Sequence, residues 1–214
     1  MSEPTTLLIG ATGPTGQAFL RSAAQAGLPV RALARHPDRL NDTQRHGAEV
    51  VQGDVLDPAS LSHALVGITT VVSLLGTPLS LQPVTLLSTG TRHLVNAMQT
   101  KGTPRLLCVT GMGAGDSRGH GGWLYDRVLL PLLLGRIYAD KDRQEAVVRA
   151  SALDWVLVRP ARLTDTPAQG RYRRITHWSG AARMTRIARA DVANFLLGEL
   201  RAPTLHRTAV NLSD

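Results

Sequence analysis

Short apolar runs alternate with longer amphipathic stretches along most of this 214-residue chain. The apolar runs predict six buried strands, at residues 5–9, 30–34, 49–52, 70–74, 105–110 and 155–158. The stretches between them predict helices at residues 14–26, 37–46, 58–66, 81–100 and 138–151. Continuous apolar strands separated by helices are typical of parallel sheets covered on both faces, so the pattern predicts an α/β, doubly wound fold.

The length of the chain and the short connections between these elements favour a single domain over residues 1–214. A chain of this size can bury a full core, and it contains no internal repeat and no low-complexity linker. The last third has a less regular pattern than the rest. Within this irregular C-terminal region, residues 164–178 are expected to form a small cap beside a ligand site at the carboxyl ends of the strands.

The strongest functional signal is the turn between the first strand and the first helix. Three glycines, Gly10, Gly13 and Gly16, follow the strand at intervals of three residues, and a helix-forming segment begins at once. Gly10 permits a tight turn, Gly13 permits close approach to a pyrophosphate, and Gly16 permits tight packing of the helix. The N–H groups of the first helical turn would then hold the phosphates. The alternative is a glycine-rich turn without a ligand, which the position between strand and helix disfavours.

Residues after the second predicted strand indicate the form of the dinucleotide. An Asp or Glu near this point hydrogen-bonds the ribose 2′-hydroxyl of the unphosphorylated cofactor. Here the strand end offers Arg35 and Arg39 and no carboxylate before Asp38. A guanidinium group suits a 2′-phosphate, so the sequence predicts NADPH in preference to NADH. The alternative is that Arg35 is an ordinary solvated surface charge.

Residues at the ends of the later strands are expected to complete this site, since ligands in such folds bind beyond the carboxyl ends of the strands. Asp54 is a candidate acceptor for the adenine amino group, and the alternative is a turn or N-cap aspartate. Pro160 is placed near the nicotinamide carboxamide. The full set of expected cofactor contacts is Gly10, Thr12, Gly13, Pro14, Thr15, Gly16, Arg35, Arg39, Asp54, Val55, Leu75, Gly76, Thr110, Gly111, Lys141 and Pro160.

Composition and charge exclude several other classes of protein. The net charge of +8 is compatible with nucleic-acid binding, but the arginines are scattered and only residues 171–174 form a basic patch. Three Trp, three Tyr and two Phe offer no stacking platform, so no nucleic-acid partner is expected. Cys108 is the only cysteine, which excludes a disulfide framework and a thiolate metal cluster, and no metal site is expected.

The remaining composition places the chain away from membranes. The N-terminus lacks the basic and apolar stretches of a signal peptide, and the longest apolar run, residues 128–134, is too short to span a bilayer. The expected compartment is therefore the cytoplasm, with a small molecule as the substrate and no membrane partner. The oligomeric state stays open between monomer and homodimer.

Four spaced motifs carry a resemblance to a known family. They are Gly10-Ala-Thr-Gly13-Pro-Thr-Gly16, Gly53-Asp-Val-Leu-Asp57, Asp154-Trp-Val-Leu-Val-Arg-Pro160 and Arg189-Ala-Asp-Val-Ala193. With these motifs the whole chain resembles the atypical short-chain dehydrogenase/reductases. Within them it is most similar to the NAD(P)H-binding branch that contains the NmrA-like proteins and the flavin (biliverdin-IXβ) reductases. The resemblance implies a Rossmann fold and cofactor contacts at residues 10–16, Arg35, residues 54–55 and Gly76.

The chain departs from the short-chain dehydrogenases at the catalytic pair. These enzymes ordinarily use Tyr-x-x-x-Lys, in which the lysine lowers the tyrosine pKa so that the phenol can exchange a proton. Here the candidate catalytic residues Tyr138 and Lys141 are only three positions apart, although such positions still share a helix face. The alternative for Tyr138 is a packing residue. Lys141 resembles the lysine that the branch keeps to reach the ribose hydroxyls, with Glu145 as a candidate ion-pair partner.

Without the tyrosine, a flavin or quinone can still accept hydride directly and take its proton from water. Such a reductase needs an apolar slot over the nicotinamide, for which the candidates are Met112, Trp123, Leu124 and residues 129–134, although core packing is the plainer interpretation of the leucines. Two other functions stay open. One is an NmrA-like dinucleotide sensor without turnover, and the other is a sugar-nucleotide epimerase or dehydratase, for which the chain leaves little room.

A serine motif in the same region offers a hydrolase interpretation. Gly115-Asp-Ser117-Arg-Gly119 matches Gly-x-Ser-x-Gly, and Asp165 or Asp191 followed by His206 gives the chain order of a hydrolase triad. A nucleophile elbow requires a sharp strand-to-helix turn, and Ser117 lies well past the predicted strand end. The sequence therefore disfavours a hydrolase, and the glycine-rich run 111–122 is interpreted as a mobile loop over the cofactor.

Overall fold

The computed structural model describes residues 5–178 and 184–214, apart from residues 79, 81, 121–126 and 128–133. The strands are β1 (Thr6–Ile9), β2 (Val30–Ala34), β3 (Glu49–Gln52), β4 (Thr70–Ser73), β5 (Arg105–Val109), β6 (Asp154–Pro160), β7 (Arg162–Thr164), β8 (Arg173–Ile175), β9 (Arg186–Ala188) and β10 (Thr208–Ser213). The helices are α1 (Pro14–Gln25), α2 (Asp42–Arg45), α3 (Pro58–Ala64), α4 (Leu86–Lys101), α5 (Gly135–Ala150) and α6 (Arg189–Arg201). Two short 3-10 turns lie at Pro37–Arg39 and Gly115–Ser117.

Eight strands form one sheet in the order β3-β2-β1-β4-β5-β6-β10-β8. Every neighbouring pair is parallel except β10 and β8, which are antiparallel. The strand order reverses between β1 and β4, and this switch point opens a crevice at the carboxyl ends of the strands. The predicted doubly wound parallel sheet is therefore confirmed. β7 and β9 pair in a separate two-stranded parallel sheet.

Helices cover both faces of the sheet because successive strand residues point to opposite sides. On β1, Leu8 packs into one apolar cluster with Phe19 of α1 and Leu196 of α6. Its neighbour Leu7 packs into a second cluster with Met98 of α4. α1 packs against α6 on the first face, and α4 packs against α5 on the other. These two layers pack against both faces of the sheet that forms the crevice.

Three predicted helices differ from the structure in their bounds. The predicted helix 37–46 is broken into a 3-10 turn and α2, because Asn41 begins a new helix with a capping box to Gln44. Within the predicted helix 81–100, regular helix begins only at Leu86. The predicted helix 138–151 begins earlier, at Gly135.

The last third contains two regular elements, α6 and β10, that the pattern of the sequence does not predict. α6 fills one face of the sheet, and β10 inserts between β6 and β8. The apolar periodicity of the sequence does not predict β10, because two of its buried residues are polar. Asn211 donates to the Ile175 carbonyl at 3.0 Å, and the Ser213 hydroxyl accepts from the Thr185 N–H at 3.0 Å. Partners from distant segments therefore make the burial of these polar groups possible.

Candidate dinucleotide site

A cleft of about 650 Å³ lies at the switch point of the sheet. Most of the predicted cofactor contacts line it together, namely Gly10, Thr12, Gly13, Pro14, Thr15, Gly16, Arg35, Asp54, Val55, Leu75, Gly76, Thr110 and Lys141. Arg39, Gly111 and Pro160 are not among its lining residues. The Pro160 carbonyl instead accepts from the Met112 N–H at 3.0 Å. The same cleft is where a doubly wound sheet places a ligand.

The glycine turn between β1 and α1 has one open position and two crowded ones. Gly10 has a φ of +87°, and a Cβ there would overlap the Leu74 carbonyl oxygen. A Cβ at Gly16 would overlap the Gly10 carbonyl. The absence of a side chain at Gly16 therefore lets the helix pack closely against the turn itself. A Cβ at Gly13 would meet only the Gly10 carbonyl, at an ordinary 3.5 Å. The space beside Gly13 therefore belongs to the cleft, as a pyrophosphate requires.

The start of α1 is suited to an anion. Gly13 is the N-cap and offers no side chain to the free N–H groups, and the first turn contains no acidic residue. The N–H groups of Thr15 and Gly16 follow Pro14, which has no N–H of its own. This cradle fits a phosphate group, because the helix dipole favours negative charge at that point.

The two arginines after β2 have different positions. Arg35 is exposed and lines the cleft, whereas Arg39 is exposed in the following 3-10 turn and lies outside the lining. Asp54 also lines the cleft, but its Oδ1 accepts from the Leu56 N–H at 2.9 Å. The alternative of a turn aspartate is thus realised in the structure, while the second carboxylate oxygen of Asp54 is available for other contacts.

The wall formed by β5, α5 and β6 contains a connected set of polar groups. Arg159 Nε and Nη2 donate to the two Glu145 carboxylate oxygens at 2.9 and 2.5 Å. The Thr110 hydroxyl donates to Glu145 Oε1 at 2.8 Å, and Lys141 Nζ donates to the Thr110 carbonyl. Glu145 therefore pairs with Arg159, and at 3.9 Å with Arg149, rather than with Lys141 as the sequence analysis expects.

Tyr138 and Lys141 share a helix face, as their spacing predicts. Lys141 Nζ lies 5.0 Å from the centre of the Tyr138 ring. Both approach Gly111, where a Cβ would lie 2.8 Å from Nζ and 3.2 Å from the phenol oxygen. Lys141 lines the cleft and Tyr138, only 8% exposed, does not. Burial lowers the pKa of Lys141 to about 8, although the charge of Glu145 raises it.

The described part of the segment after β5 is held by hydrogen bonds, and its mobility stays a prediction. Ser117 is fully buried; its hydroxyl accepts from the Gly113 N–H at 2.9 Å and donates to the Ala114 carbonyl at 2.7 Å. Asp142 of α5 accepts from the Gly115 N–H at 2.9 Å. These bonds tie the segment to α5.

Among the described residues, the candidates for a hydrolase triad bond to other groups. Ser117 lies in a 3-10 turn, and its hydroxyl proton is used by a backbone carbonyl. Asp191 accepts from the N–H groups of Gln169 and Gly170, and His206 pairs with Asp154. These groups therefore have separate structural roles.

The sequence analysis missed two residues that line the cleft from the C-terminal third. Leu163 belongs to β7, and Arg189 begins α6, where its Nη1 lies 2.7 Å from Asp165 Oδ1. Arg189 is the first residue of the motif Arg189-Ala-Asp-Val-Ala193, but the motif alone does not place it at the cleft. None of residues 164–178, the expected cap, is among the residues lining the cleft.

The residues expected to form an apolar slot are only partly covered by the structure. Met112 is 4% exposed and packs into the main core cluster rather than into the cleft. Trp123, Leu124 and residues 129–133 lie outside the described residues. In the described part of the chain, Val109, Leu86 and Leu163 supply apolar surface at the cleft.

Two further findings concern membranes and metals. Among the described helices, none combines the length and the apolar character needed to cross a bilayer. Across the same residues, no group of three or more His, Cys, Asp or Glu side chains is placed to hold a metal ion.

The fold and the cleft define a Rossmann-type dinucleotide-binding protein. Residues 10–203 match the family described as NAD(P)H-binding, and the chain belongs to that family. The resemblance seen in the sequence motifs is thereby confirmed at the level of NAD(P)H binding. The glycine cradle at the start of α1 fits the pyrophosphate of such a cofactor.

Known relatives are reductases and other Rossmann proteins. An NAD(P)H azoreductase from Xenophilus azovorans is 27% identical over 154 residues, which are 72% of this chain and 46% of that protein. The chain thus spans less than half of the azoreductase. The solved structure of ChuY, described as an anaerobillin reductase from Escherichia coli O157:H7, has a TM-score of 0.82 at 26% identity, covering 97% of this chain and 96% of that one.

A further solved structure shows the same fold at lower identity. A short-chain dehydrogenase/reductase from Veillonella parvula, in complex with NADP, has a TM-score of 0.82 at 17% identity. The match covers 100% of this chain and 95% of that one. At this identity the likeness speaks for the fold alone.

Proposed function

We propose that this chain is an NADPH-dependent reductase that passes hydride to a flavin, a quinone or a similar small planar acceptor. The observation that carries the proposal is the open cradle at Gly13, which leads along one cleft to Thr110 and Lys141. Relatives named NAD(P)H azoreductase and anaerobillin reductase support a reductase. The single-domain organisation and the cytoplasm remain the expected setting.

The cleft residues divide into two ends. The start of α1 holds the pyrophosphate, and Arg35 lies at the end where a 2′-phosphate would be recognised. Lys141 and Thr110 line the other end, where the ammonium group can reach ribose hydroxyls. Bound NADPH would supply a hydride at that end. The preference for NADPH over NADH is part of this proposal and rests on Arg35.

The acceptor would bind near Lys141, and its reduction there does not need a tyrosine as proton donor. Val109, Leu86 and Leu163 offer apolar surface against which a planar ring can pack. Tyr138 lies behind Gly111, outside the cleft lining, so its phenol does not face the acceptor. A flavin or quinone that receives a hydride can take its proton from water, and the balance of the reaction closes without a side-chain acid.

Arg189 adds a charge preference to this acceptor end. It lines the cleft beside Leu163, and its pairing with the exposed Asp165 leaves other guanidinium donors to face a ligand. An acceptor that carries a carboxylate or phosphate group would gain a charged hydrogen bond there. We therefore place anionic planar acceptors ahead of neutral ones.

The test is oxidation of NADPH, followed by its absorbance, with a panel of flavins, quinones, carbonyl compounds and sugar nucleotides. Turnover with flavins or quinones is the expected result, with FMN used better than riboflavin because of its phosphate. Turnover with simple carbonyl compounds alone would contradict the proposed acceptor class. Tight NADPH binding without turnover would identify the dinucleotide sensor instead, and conversion of a sugar nucleotide would identify the epimerase or dehydratase.

A further inference from the structure

A buried ion pair lies directly behind the cleft wall. Arg159 is fully buried, and the Glu145 side chain is 3% exposed. The guanidinium group holds both Glu145 oxygens, and its Nη1 donates to Asp116 Oδ1 at 2.5 Å. Buried ion pairs contribute little net stability because both charges lose their water. Such a complete set of partners suggests a role beyond holding the fold together.

The chain closes tightly around this pair. Gly115 has a φ of +54°, and a Cβ there would overlap Arg159 Nη2. The Gly115 N–H is held by Asp142 of α5 at 2.9 Å. The backbone after β5 is thus shaped to admit the buried guanidinium group, which fixes Glu145 from one side.

The ion pair is connected to the cleft through a single threonine. Thr110 donates its hydroxyl to Glu145 Oε1 at 2.8 Å, and its carbonyl accepts from Lys141 Nζ. Thr110 and Lys141 line the cleft, whereas Glu145 and Arg159 do not. Thr110 therefore connects the buried Glu145 carboxylate to the Lys141 ammonium group, which faces the ligand.

We propose that Glu145, held in place by Arg159, is a positioning residue that fixes Thr110 and keeps the Lys141 ammonium group charged at the cleft. This inference rests on the dinucleotide site proposed above. The charged form of Lys141 attracts the anionic cofactor and donates to its hydroxyls, so cofactor affinity reports the state of the lysine. The pair thereby makes NADPH binding dependent on pH in the weakly alkaline range.

The charges around Lys141 support this assignment. Among the described residues, the titratable and charged groups on the elements packed around it are Tyr138, Glu145 and Arg149 on α5, Cys108 on β5, Asp116 after β5, Arg159 on β6, and Arg189 on α6 across the cleft. Burial lowers the pKa of Lys141 to about 8, and Glu145 is the main group that opposes this effect. Cys108 stays neutral in that range because burial raises its pKa to about 12.

The experiment measures the NADPH dissociation constant by nucleotide fluorescence from pH 7 upward to pH 9.5. The range begins above the second pKa of a phosphate group, which is about 6, so the phosphate keeps its charge throughout. For the wild type we expect affinity to fall as pH rises through about 8, where Lys141 loses its proton. In Glu145→Gln the carboxylate charge is gone, so the midpoint should move down by about 1 pH unit. Lys141→Met should remove this step altogether.

Glu199→Gln is the matched control. The Glu199 side chain is also 3% exposed and pairs with a buried arginine, Arg105, at 3.2 Å, but it is not among the residues lining the cleft. It should lower thermal stability as Glu145→Gln does and leave the pH midpoint unchanged. Thr110→Val leaves Glu145 and Arg159 in place and removes the hydroxyl that links them to the cleft lining, so it should weaken NADPH binding even if Glu145→Gln fails to fold.

Three results for the wild type, Lys141→Met and Glu145→Gln would overturn the inference. They are a wild-type affinity that does not change over this range, a step that persists in Lys141→Met, and equal midpoints in the wild type and Glu145→Gln. Thr110→Val with wild-type affinity would also contradict it. Each of these leaves the proposed reductase intact, because that proposal fails only through the cofactor or the acceptor assays. Absence of NADPH binding at every pH would overturn both.

Discussion

Arg35 and Arg39 are four positions apart, and only one of them lines the cleft. Replacement of Arg35 with alanine should lower NADPH affinity by about 1–3 kcal/mol, the magnitude of a charged hydrogen bond, and leave NADH affinity nearly unchanged. Arg39→Ala removes the same charge from an exposed position outside the cleft, so it controls for general electrostatics. Both dissociation constants can be measured by fluorescence titration at fixed ionic strength.

Two outcomes would contradict the proposed role of Arg35 in NADPH binding. Equal wild-type affinity for NADPH and NADH would contradict the assigned preference. Equal losses in Arg35→Ala and Arg39→Ala would show that net charge, rather than a local contact, sets the affinity for NADPH.

Substitutions of Tyr138 and Lys141 should have different kinetic effects, because only Lys141 faces the cleft. Tyr138→Phe should keep turnover near that of the wild type with a flavin or quinone acceptor. Lys141→Ala should mainly raise the NADPH dissociation constant. Steady-state kinetics and fluorescence titration of both variants provide the measurement. A general acid is worth a factor on the order of 10²–10⁴, so a loss of that size in Tyr138→Phe would restore a catalytic tyrosine.

At the scale of elements, a substitution in the β1–α1 turn can remove NADPH binding without affecting folding. A Cβ at Gly13 has only an ordinary contact within the protein, so Gly13→Val should fold and yet fill the space beside the start of α1. We expect loss of detectable NADPH binding with a far-ultraviolet circular dichroism spectrum like that of the wild type.

Gly198→Val is the control for the substitution at Gly13. Gly198 lies in α6, has no atom near its would-be Cβ and is not among the cleft residues. NADPH binding should survive in this variant. Normal NADPH titration of Gly13→Val would mean that the pyrophosphate lies elsewhere.

The start of α4 is capped by a residue from a different helix. Thr85 makes no side-chain cap, and Asp140 of α5 accepts instead from the Leu87 N–H at 2.8 Å and from the Ser88 hydroxyl. Asp140→Asn should lower the free energy of unfolding by about 1–2 kcal/mol, because it loses the charge and an acceptor at a helix N-terminus. Urea unfolding measures the change.

Asp42→Asn provides the comparison for that prediction. Asp42 is exposed in the first turn of the short helix α2, where surface substitutions change stability little. A loss in Asp140→Asn no larger than in Asp42→Asn would contradict the capping role. The bond links α4 to α5, so it also supports the helix that carries Lys141.

At the scale of the whole molecule, the sequence predicts what local periodicity determines. The first five strands and the cleft residues that follow them could be placed because each strand end lies at a known edge of a parallel sheet. Arg189 and Leu163 could not be placed in this way, because their approach to the cleft depends on the distant pairing of β7 with β9. Glu145 was given the wrong partner because its contact with Arg159 joins a helix to a separate strand.

The position of β10 between β6 and β8 has a consequence for how the polypeptide is made. Residues 208–213 are synthesised well after the residues of β6, yet they occupy an interior place in the sheet. Until they leave the ribosome, the nascent chain exposes an unpaired edge along β6, and an open strand edge invites pairing with other chains. The interval between translation of β6 and translation of β10 is therefore when a newly made copy is most exposed to aggregation, and chaperone protection would matter most in that interval.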